Sequence, residues 1–285
     1  MSFQEKDRAR VLAEALPYIQ KYSGKTIVVK CGGAAMVSDE LRRALISDII
    51  LLNLVGIRVV MVHGDGPEVG QMLDRVGKQA AVVDGLRDTD EETMDIVQQV
   101  QCGLVNKKLV ATLNRLGGRA LGLCGLDGAM LRAKKRDGQY GMLGEITRVD
   151  PRPVTDALDG GYIPVVSTVA QGEDAETAYD VDADVAAAKL AVAMKAEKLI
   201  LLTNVRGVLR DVSDESTLMP ELQLSTVPAL VREGTISGDM VPKINCCVEA
   251  VRSGVKSAIV LDGRVTHSIL IELLSDAGIG TMLVM

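Results

Sequence analysis

Thr26-Ile-Val-Val-Lys-Cys-Gly-Gly33 is an apolar run that ends directly in two glycines, and Arg58-Val-Val-Met-Val-His-Gly-Asp-Gly-Pro67 repeats the pattern. A buried parallel strand ending in glycine lets a phosphate approach backbone N–H groups, because glycine has no Cβ and the helix that follows presents its positive end. The spacing is neither Gly-x-x-x-x-Gly-Lys-Ser/Thr nor Gly-x-Gly-x-x-Gly, which excludes the P-loop and Rossmann fingerprints. Lys30 stands on the first strand just before the turn, where a compact ammonium can reach a transferring phosphoryl group. A plain strand-to-helix turn would use the same glycines, so the rest of the chain must decide between the two.

A length of 285 residues with 47% hydrophobic content is enough for one large domain or two modest ones around a substantial core. The net charge of −6, with acids and bases interspersed, argues against nucleic acid or an anionic membrane as the main partner. With no basic-plus-apolar leader and no apolar run long enough to span a bilayer, the chain reads as soluble and cytoplasmic. Cys31, Cys102, Cys124, Cys246 and Cys247 are odd in number and lack a metal or disulfide spacing, so they are expected to be reduced, small apolar residues. Phe3 is the only phenylalanine and tryptophan is absent, leaving no aromatic platform for base stacking.

Short Val/Ile/Leu runs alternate with longer helical patterns. Strands are expected at Thr26–Lys30, Arg58–His63, Arg119–Cys124, Ile163–Ser167, Lys198–Thr203, Ser257–Leu261 and Thr281–Val284. Helices are expected at Ser38–Leu54, Asp90–Leu116, Asp184–Met194 and Val241–Arg252. Strands that are apolar throughout, rather than alternating, belong to a mainly parallel sheet covered by helices on both faces, an α/β architecture. Leu131–Thr147 breaks the rhythm and reads as a β-hairpin excursion, its basic cluster around Lys134-Lys-Arg136 a solvated tip. A lobe boundary is expected near Gln171–Thr177.

The second half adds charged chemistry. Tyr179-Asp-Val-Asp-Ala-Asp184 sets three carboxylates at alternate positions before an alanine-rich helix, a density that repels itself unless cations or amides neutralise it. Asp182 or Asp184 could equally be a simple N-cap. Ser237-Gly-Asp-Met-Val-Pro-Lys243 reads as a turn feeding a helix whose first turn carries a lysine, aimed either at phosphates or at solvent. Arg87, in the loop Gly85-Leu-Arg-Asp-Thr-Asp90, is of the type that clamps a carboxylate with two parallel hydrogen bonds.

Together these stretches resemble the amino acid kinase superfamily, and closely resemble its members that phosphorylate the side-chain carboxylate of N-acetyl-L-glutamate in arginine synthesis. Further marks are Gly125-Leu-Asp-Gly128, Gly144-Glu145, Ile163-Pro-Val-Val166, Leu201-Leu-Thr203 and Leu261-Asp-Gly-Arg264, so the likeness covers nearly the whole chain. It implies a three-layer αβα sandwich with two lobes. Residues 1–178 would hold the N-terminal helix, the acyl-amino acid and the dimer contacts, and residues 179–285 would hold ATP. By the same resemblance Lys30, Lys243 and Asp184 are catalytic, the lysines stabilising the transferring group and Asp184 orienting them. Gly32, Gly33 and Gly64 would meet phosphate, while Gly64, Asp65, Gly66, Arg87, Asp180 and Asp182 would line the substrate, with Arg87 on its α-carboxylate. Mg2+ would travel on the ATP phosphates, with no dedicated metal ligands in the protein. Arginine-inhibited members carry an extra N-terminal helix that interlaces dimers into a hexamer. Glu5–Tyr22, with Val11, Leu12, Leu16 and Ile19 on one side, looks like that helix, the other reading being a helix packed on its own sheet. Glu272 and Gly278 resemble the L-arginine pocket, although Ile259 stands where a histidine is common. His63 is expected to orient the second glycine turn, and His267 to sit at the surface or a helix cap.

Several positions that are usually neutral in the family are acidic here. Asp65 and Asp239 replace glycines, and Asp180 and Asp182 replace asparagines. Carboxylates added around a site for a carboxylate and a triphosphate oppose binding by about 1 kcal/mol per screened close pair. The alternative function is therefore a catalytically impaired or retuned member that binds nucleotide, another acyl-amino acid or a protein partner. Replacing Asp65→Gly together with Asp180→Asn is expected to tighten N-acetylglutamate binding in titration calorimetry; no gain in affinity or turnover would remove electrostatic opposition as a factor.

Overall fold

The computed structural model describes residues 5–33, 38–64, 66–79, 82–83 and 86–285. In chain order its elements are α1 (Glu5–Tyr22), β1 (Thr26–Cys31), α2 (Asp39–Leu54), β2 (Arg58–His63), α3 (Glu68–Arg75), β3 (Val82–Val83), β4 (Leu86–Arg87) and α4 (Glu91–Gln98). A π-helical turn (Gln99–Val105) leads into α5 (Asn106–Arg115), then β5 (Ala120–Cys124), β6 (Leu131–Lys135), β7 (Gly144–Val149), α6 (Arg152–Asp159), β8 (Ile163–Ser167), β9 (Val169–Gly172) and β10 (Ala178–Asp180). The remainder comprises α7 (Ala183–Ala193), β11 (Lys198–Thr203), β12 (Glu221–Gln223), α8 (Val227–Arg232), α9 (Met240–Arg252), β13 (Ser257–Asp262), α10 (Ser268–Leu274) and β14 (Thr281–Val284).

Eight strands form the main sheet in the order β12, β14, β13, β11, β1, β2, β8, β5. Every neighbouring pair from β13 to β5 is parallel, and β14 runs antiparallel to β13. Alternate residues of β1 feed opposite cores. Ile27, Val29 and Cys31 pack with Ile46 and Ile49 of α2 and Leu109 and Leu113 of α5, whereas Val28 packs with Leu190 of α7 and Ile244 and Val251 of α9. Burial on both faces is why these strands carry no polar alternation, and each such side chain contributes roughly 2 kcal/mol on leaving water. The result is the three-layer αβα sandwich the apolar runs call for. Among the described residues no helix is long and apolar enough to cross a membrane.

The structure departs from the sequence pattern in two places. The single helix expected over Asp90–Leu116 is broken into α4, the π turn and α5. Gly103 weakens the helix there, and the extra residue of the wider turn leaves Gln101 and Asn106 both buried, Asn106 donating to the Val165 carbonyl of β8 and Gln101 accepting from the Thr168 amide between β8 and β9. The hairpin at Leu131–Thr147 is not an isolated excursion. Its strands β6 and β7 join the unforeseen short strands β9 and β10 in a four-stranded sheet, and Arg136 and Asp137 at its tip face a cleft. Residues 173–177 form the turn between β9 and β10, closed by Asp174, whose carboxylate accepts from the Glu176 and Thr177 amides. His267 takes the N-cap position of α10, as expected, and its Nδ1 lies 2.5 Å from Oδ1 of Asp48, which is buried in α2.

Where β1 ends, Gly32 runs so close to β11 that a Cβ would lie 2.2 Å from the Leu202 carbonyl oxygen. That contact is backbone and cannot rotate away. Gly32→Ala is expected to cost about 2 kcal/mol by overpacking, read as a lowered midpoint of urea unfolding.

Candidate active site

The carboxylates before α7 divide the work that the sequence left open. Asp182 is the N-cap, its Oδ1 accepting the Asp184 and Val185 amides at 2.9 Å each. Asp184, in the first helical turn, points inward and is 5% exposed. Lys30 reaches it from β1, with Nζ 2.7 Å from Oδ1, and Lys243 from the first turn of α9, with Nζ 2.7 Å from Oδ2. Burial works to raise the Asp184 carboxyl, but the two ammonium groups overcome it and hold the acid below its ordinary range. Burial likewise works to lower Lys243, and Asp184 more than offsets it, keeping the ammonium charged. One carboxylate thus fixes two cations side by side, leaving a surplus positive charge.

Two cavities meet at this bridge. The larger, about 720 Å3, is lined by His63, Gly64, Gly66, Arg87, Asp180 and Asp182 among others. The second, about 650 Å3, is lined by Gly32, Leu202, Thr203, Asn204 and Arg264. Lys30, Gly33 and Lys243 belong to both. The sequence-derived candidates therefore converge: Lys30, Lys243 and Asp184 at the junction, Gly64, Gly66, Arg87, Asp180 and Asp182 on one side, Gly32 on the other, and Gly33 between. Asp65 lies outside the described residues. Asp239 is exposed at φ −65°, ψ −12°, a conformation open to any residue, so the backbone there does not require the glycine it replaces.

Gln101 and Arg136 also line the larger cavity and were missed. Gln101 sits in a stretch whose helical periodicity hides the π turn, and Arg136 in a charged run that looks like a solvated tip. A second cluster forms between α1 and α10. Glu272 Oε2 accepts the amides of Ile279 at 2.9 Å and Gly280 at 3.3 Å, next to exposed Gly278. Tyr18 of α1 donates to Asp276. Lys198 is buried at the start of β11, donates to Ser257 Oγ at 2.9 Å and lies 5.7 Å from the Tyr22 ring centroid. Burial pulls its pKa down, opposed by Glu272. Within an otherwise apolar strand, nothing in the sequence sets Lys198 apart.

Comparison with known proteins gives a consistent result. Residues 25–262 match the amino acid kinase family. An acetylglutamate kinase of Clostridium kluyveri is 53% identical over 277 residues, covering 96% of this chain and 98% of that protein. The solved N-acetylglutamate synthase of Neisseria gonorrhoeae with coenzyme A and N-acetyl-glutamate overlays at a TM-score of 0.84 and 28% identity, covering 97% of this chain but 63% of that one. The same enzyme with coenzyme A and L-arginine gives a TM-score of 0.80 at 25% identity, covering 97% of this chain and 65% of that one.

Removing Asp184 leaves two ammonium groups facing each other in a half-buried site. Asp184→Ala is expected to cost about 3 kcal/mol in urea denaturation and to abolish turnover. Because the native carboxyl titrates below its unfolded value, its contribution to stability is present above the unfolded pKa and lost as pH falls through the folded one, so the difference between wild type and Asp184→Ala should shrink on acidification.

Proposed function

Because the chain belongs to the amino acid kinase family, we infer from the bridged lysines and the near-full-length likeness to acetylglutamate kinases that it uses ATP to phosphorylate the side-chain carboxylate of N-acetyl-L-glutamate, giving N-acetyl-L-glutamyl 5-phosphate for arginine biosynthesis. The observation that carries the reading is the pair of lysines shared by two cavities, so that two substrates bound one in each would meet at the ammonium groups.

The chemistry follows from the residue types. A carboxylate oxygen of the substrate attacks the γ-phosphorus in line, a new O–P bond forms, and the bond to the β–γ bridging oxygen breaks, ADP leaving with the electron pair. The nucleophile is already ionised, so no base is needed, and catalysis is alignment plus neutralisation of charge on the transferring group. Lys30 and Lys243 supply that charge, held apart at fixed positions by Asp184. Gly32, Gly33 and Gly64 let backbone N–H groups approach the phosphates, and Arg87 holds the substrate α-carboxylate, with Gly66, Asp180 and Asp182 lining the same cavity. Mg2+ fits as an ion carried on the ATP phosphates with its own waters: both Asp184 oxygens face ammonium groups, and among the described residues no three His, Cys, Asp or Glu side chains gather as a metal site. Its contribution there is charge neutralisation on the phosphates.

Residues 1–178 serve as the acyl-amino acid and dimerisation lobe and residues 179–285 as the nucleotide lobe of a cytoplasmic enzyme. Val11, Leu12 and Leu16 on α1 are 49%, 75% and 52% exposed, which favours a partner helix over packing on the chain's own sheet and supports a homodimer assembled into a hexamer. The Glu272 and Gly278 region, beside α1, is the candidate L-arginine site, in keeping with the arginine-bound synthase structure.

The direct test is ADP release: turnover is expected with N-acetyl-L-glutamate and Mg-ATP together and not with either alone, and absence of turnover with both would refute the assignment. A chain beginning at Ser23 is expected to sediment as a smaller species insensitive to arginine, and an unchanged size would remove the role given to α1.

A further inference from the structure

We propose that Asn106 is a positioning residue for phosphoryl transfer: it fixes the tautomer of His63, and through His63 it sets the orientation of the Gly64 peptide at the mouth of the site. The catalytic half of this proposal rests on the reaction inferred above; the tautomer half does not.

Asn106 is the first residue of α5, directly after the π turn, and is 1% exposed. Its Nδ2 lies 2.8 Å from the Val165 carbonyl oxygen, 3.3 Å from that of Leu123 and 3.1 Å from His63 Nε2. Two carbonyl oxygens around one atom identify it as the NH2 end of the amide, while Oδ1 accepts from Lys107 Nζ at 3.1 Å. The NH2 group has two hydrogens for these three neighbours and its nitrogen does not accept, so a proton on His63 Nε2 would point at a donor, and Nε2 therefore presents its lone pair. The ring proton is then on Nδ1, which lies 2.8 Å from the Gly64 carbonyl oxygen. All donors run one way, from Asn106 through the imidazole to the Gly64 peptide, and His63 is itself 2% exposed.

The fold reserves space for this arrangement. Gly122 lies inside strand β5, a position that normally favours a side chain. A Cβ there would lie 2.1 Å from Asn106 Oδ1 and 2.7 Å from Lys107 Nζ. The strand is left bare where the amide needs to stand. The Gly64 peptide, in turn, has no side chain of its own to set its rotation. Gly64 lines the larger cavity one residue beyond His63, so the rotation of its carbonyl, and with it the backbone conformation in which the Gly64 N–H is presented, is set from below by a buried hydrogen-bond chain.

The chain contains two histidines, which makes the tautomer directly measurable. Solid-state 15N spectra of the histidine-labelled full-length protein, with His267→Gln to assign the pair, are expected to show His63 with a protonated Nδ1 and a bare Nε2 at neutral pH. An Nε2–H or doubly protonated ring would overturn the proposal on the unmodified protein, whatever the variants do. In kinetics, Asn106→Asp, which keeps the shape and loses both donors, is expected to lower kcat about ten-fold, less than loss of a direct oxyanion donor, with KM for N-acetylglutamate and ATP within about two-fold. Gly122→Ala, which displaces the amide without changing any polar group, is expected to give the same split. A loss confined to KM, or an unchanged kcat, would overturn the positioning role. Failure of the unmodified protein to turn over would instead overturn the reaction assignment, leaving the tautomer result standing.

Discussion

Asp184 holds two ammonium groups at one point, and the rest of the site depends on that constraint. Lys30 and Lys243 come from elements far apart in sequence, a strand near the N-terminus and a helix near the C-terminus, and each lies 2.7 Å from one oxygen of the same carboxylate. Unbridged, two like charges this close would repel and swing toward solvent. Bridged, they stay charged, stay in place and carry a net positive field to where the phosphoryl group must cross. The burial of Asp184 raises the local strength of these interactions while the ion pairs offset its desolvation.

The sheet order explains why the bridge falls between two cavities. From β1 the chain moves to β2 on one side, while β11 occupies the other. β1 is therefore a point where the strand order changes direction, and clefts in open parallel sheets form beyond the carboxyl ends of strands at such points. The glycines after β1 and β2 sit at those ends. Gly32 is held against Leu202 of β11, and Gly64 opens into the larger cavity, so β1 and β2 each contribute one glycine turn to the crossing point. The N-terminus of α7, capped by Asp182, delivers Asp184 between them.

Much of this was legible in the sequence. Continuous Val/Ile/Leu runs ending in glycine gave the parallel strands almost to the residue, because a strand buried on both faces has no freedom to be polar. The lysine at the end of β1 and the lysine in the first turn of α9 were recognisable by position, and so was the carboxylate cluster before α7. What could not be read was the division of roles within that cluster. Asp182 and Asp184 are equally placed to cap a helix on paper, and only the direction of each side chain separates the cap from the bridge. The π turn was hidden because one extra residue barely disturbs a helical period, and with it Gln101 and the buried amide of Asn106. Strands β9 and β10, of four and three residues, are too short to carry a pattern. Lys198 reads as a strand terminus until Tyr22, Ser257 and Glu272 gather around it. The acidic substitutions show the limit most plainly: Asp239 is an exposed surface residue, Asp182 caps α7, and Asp180 and Asp182 both line the cavity that Arg87 lines.

The bridge matters to catalysis only if both ammonium groups act on the same transferring phosphoryl group. A crystal structure with ADP, N-acetyl-L-glutamate and aluminium fluoride, which mimics the phosphoryl group in flight, tests it most directly. The expected result is the fluoride complex at the junction of the two cavities, with Lys30 Nζ and Lys243 Nζ both within hydrogen-bonding reach and Asp184 still between them. A fluoride complex contacted by one lysine alone, or one bound away from the shared boundary, would contradict the central role of the bridge.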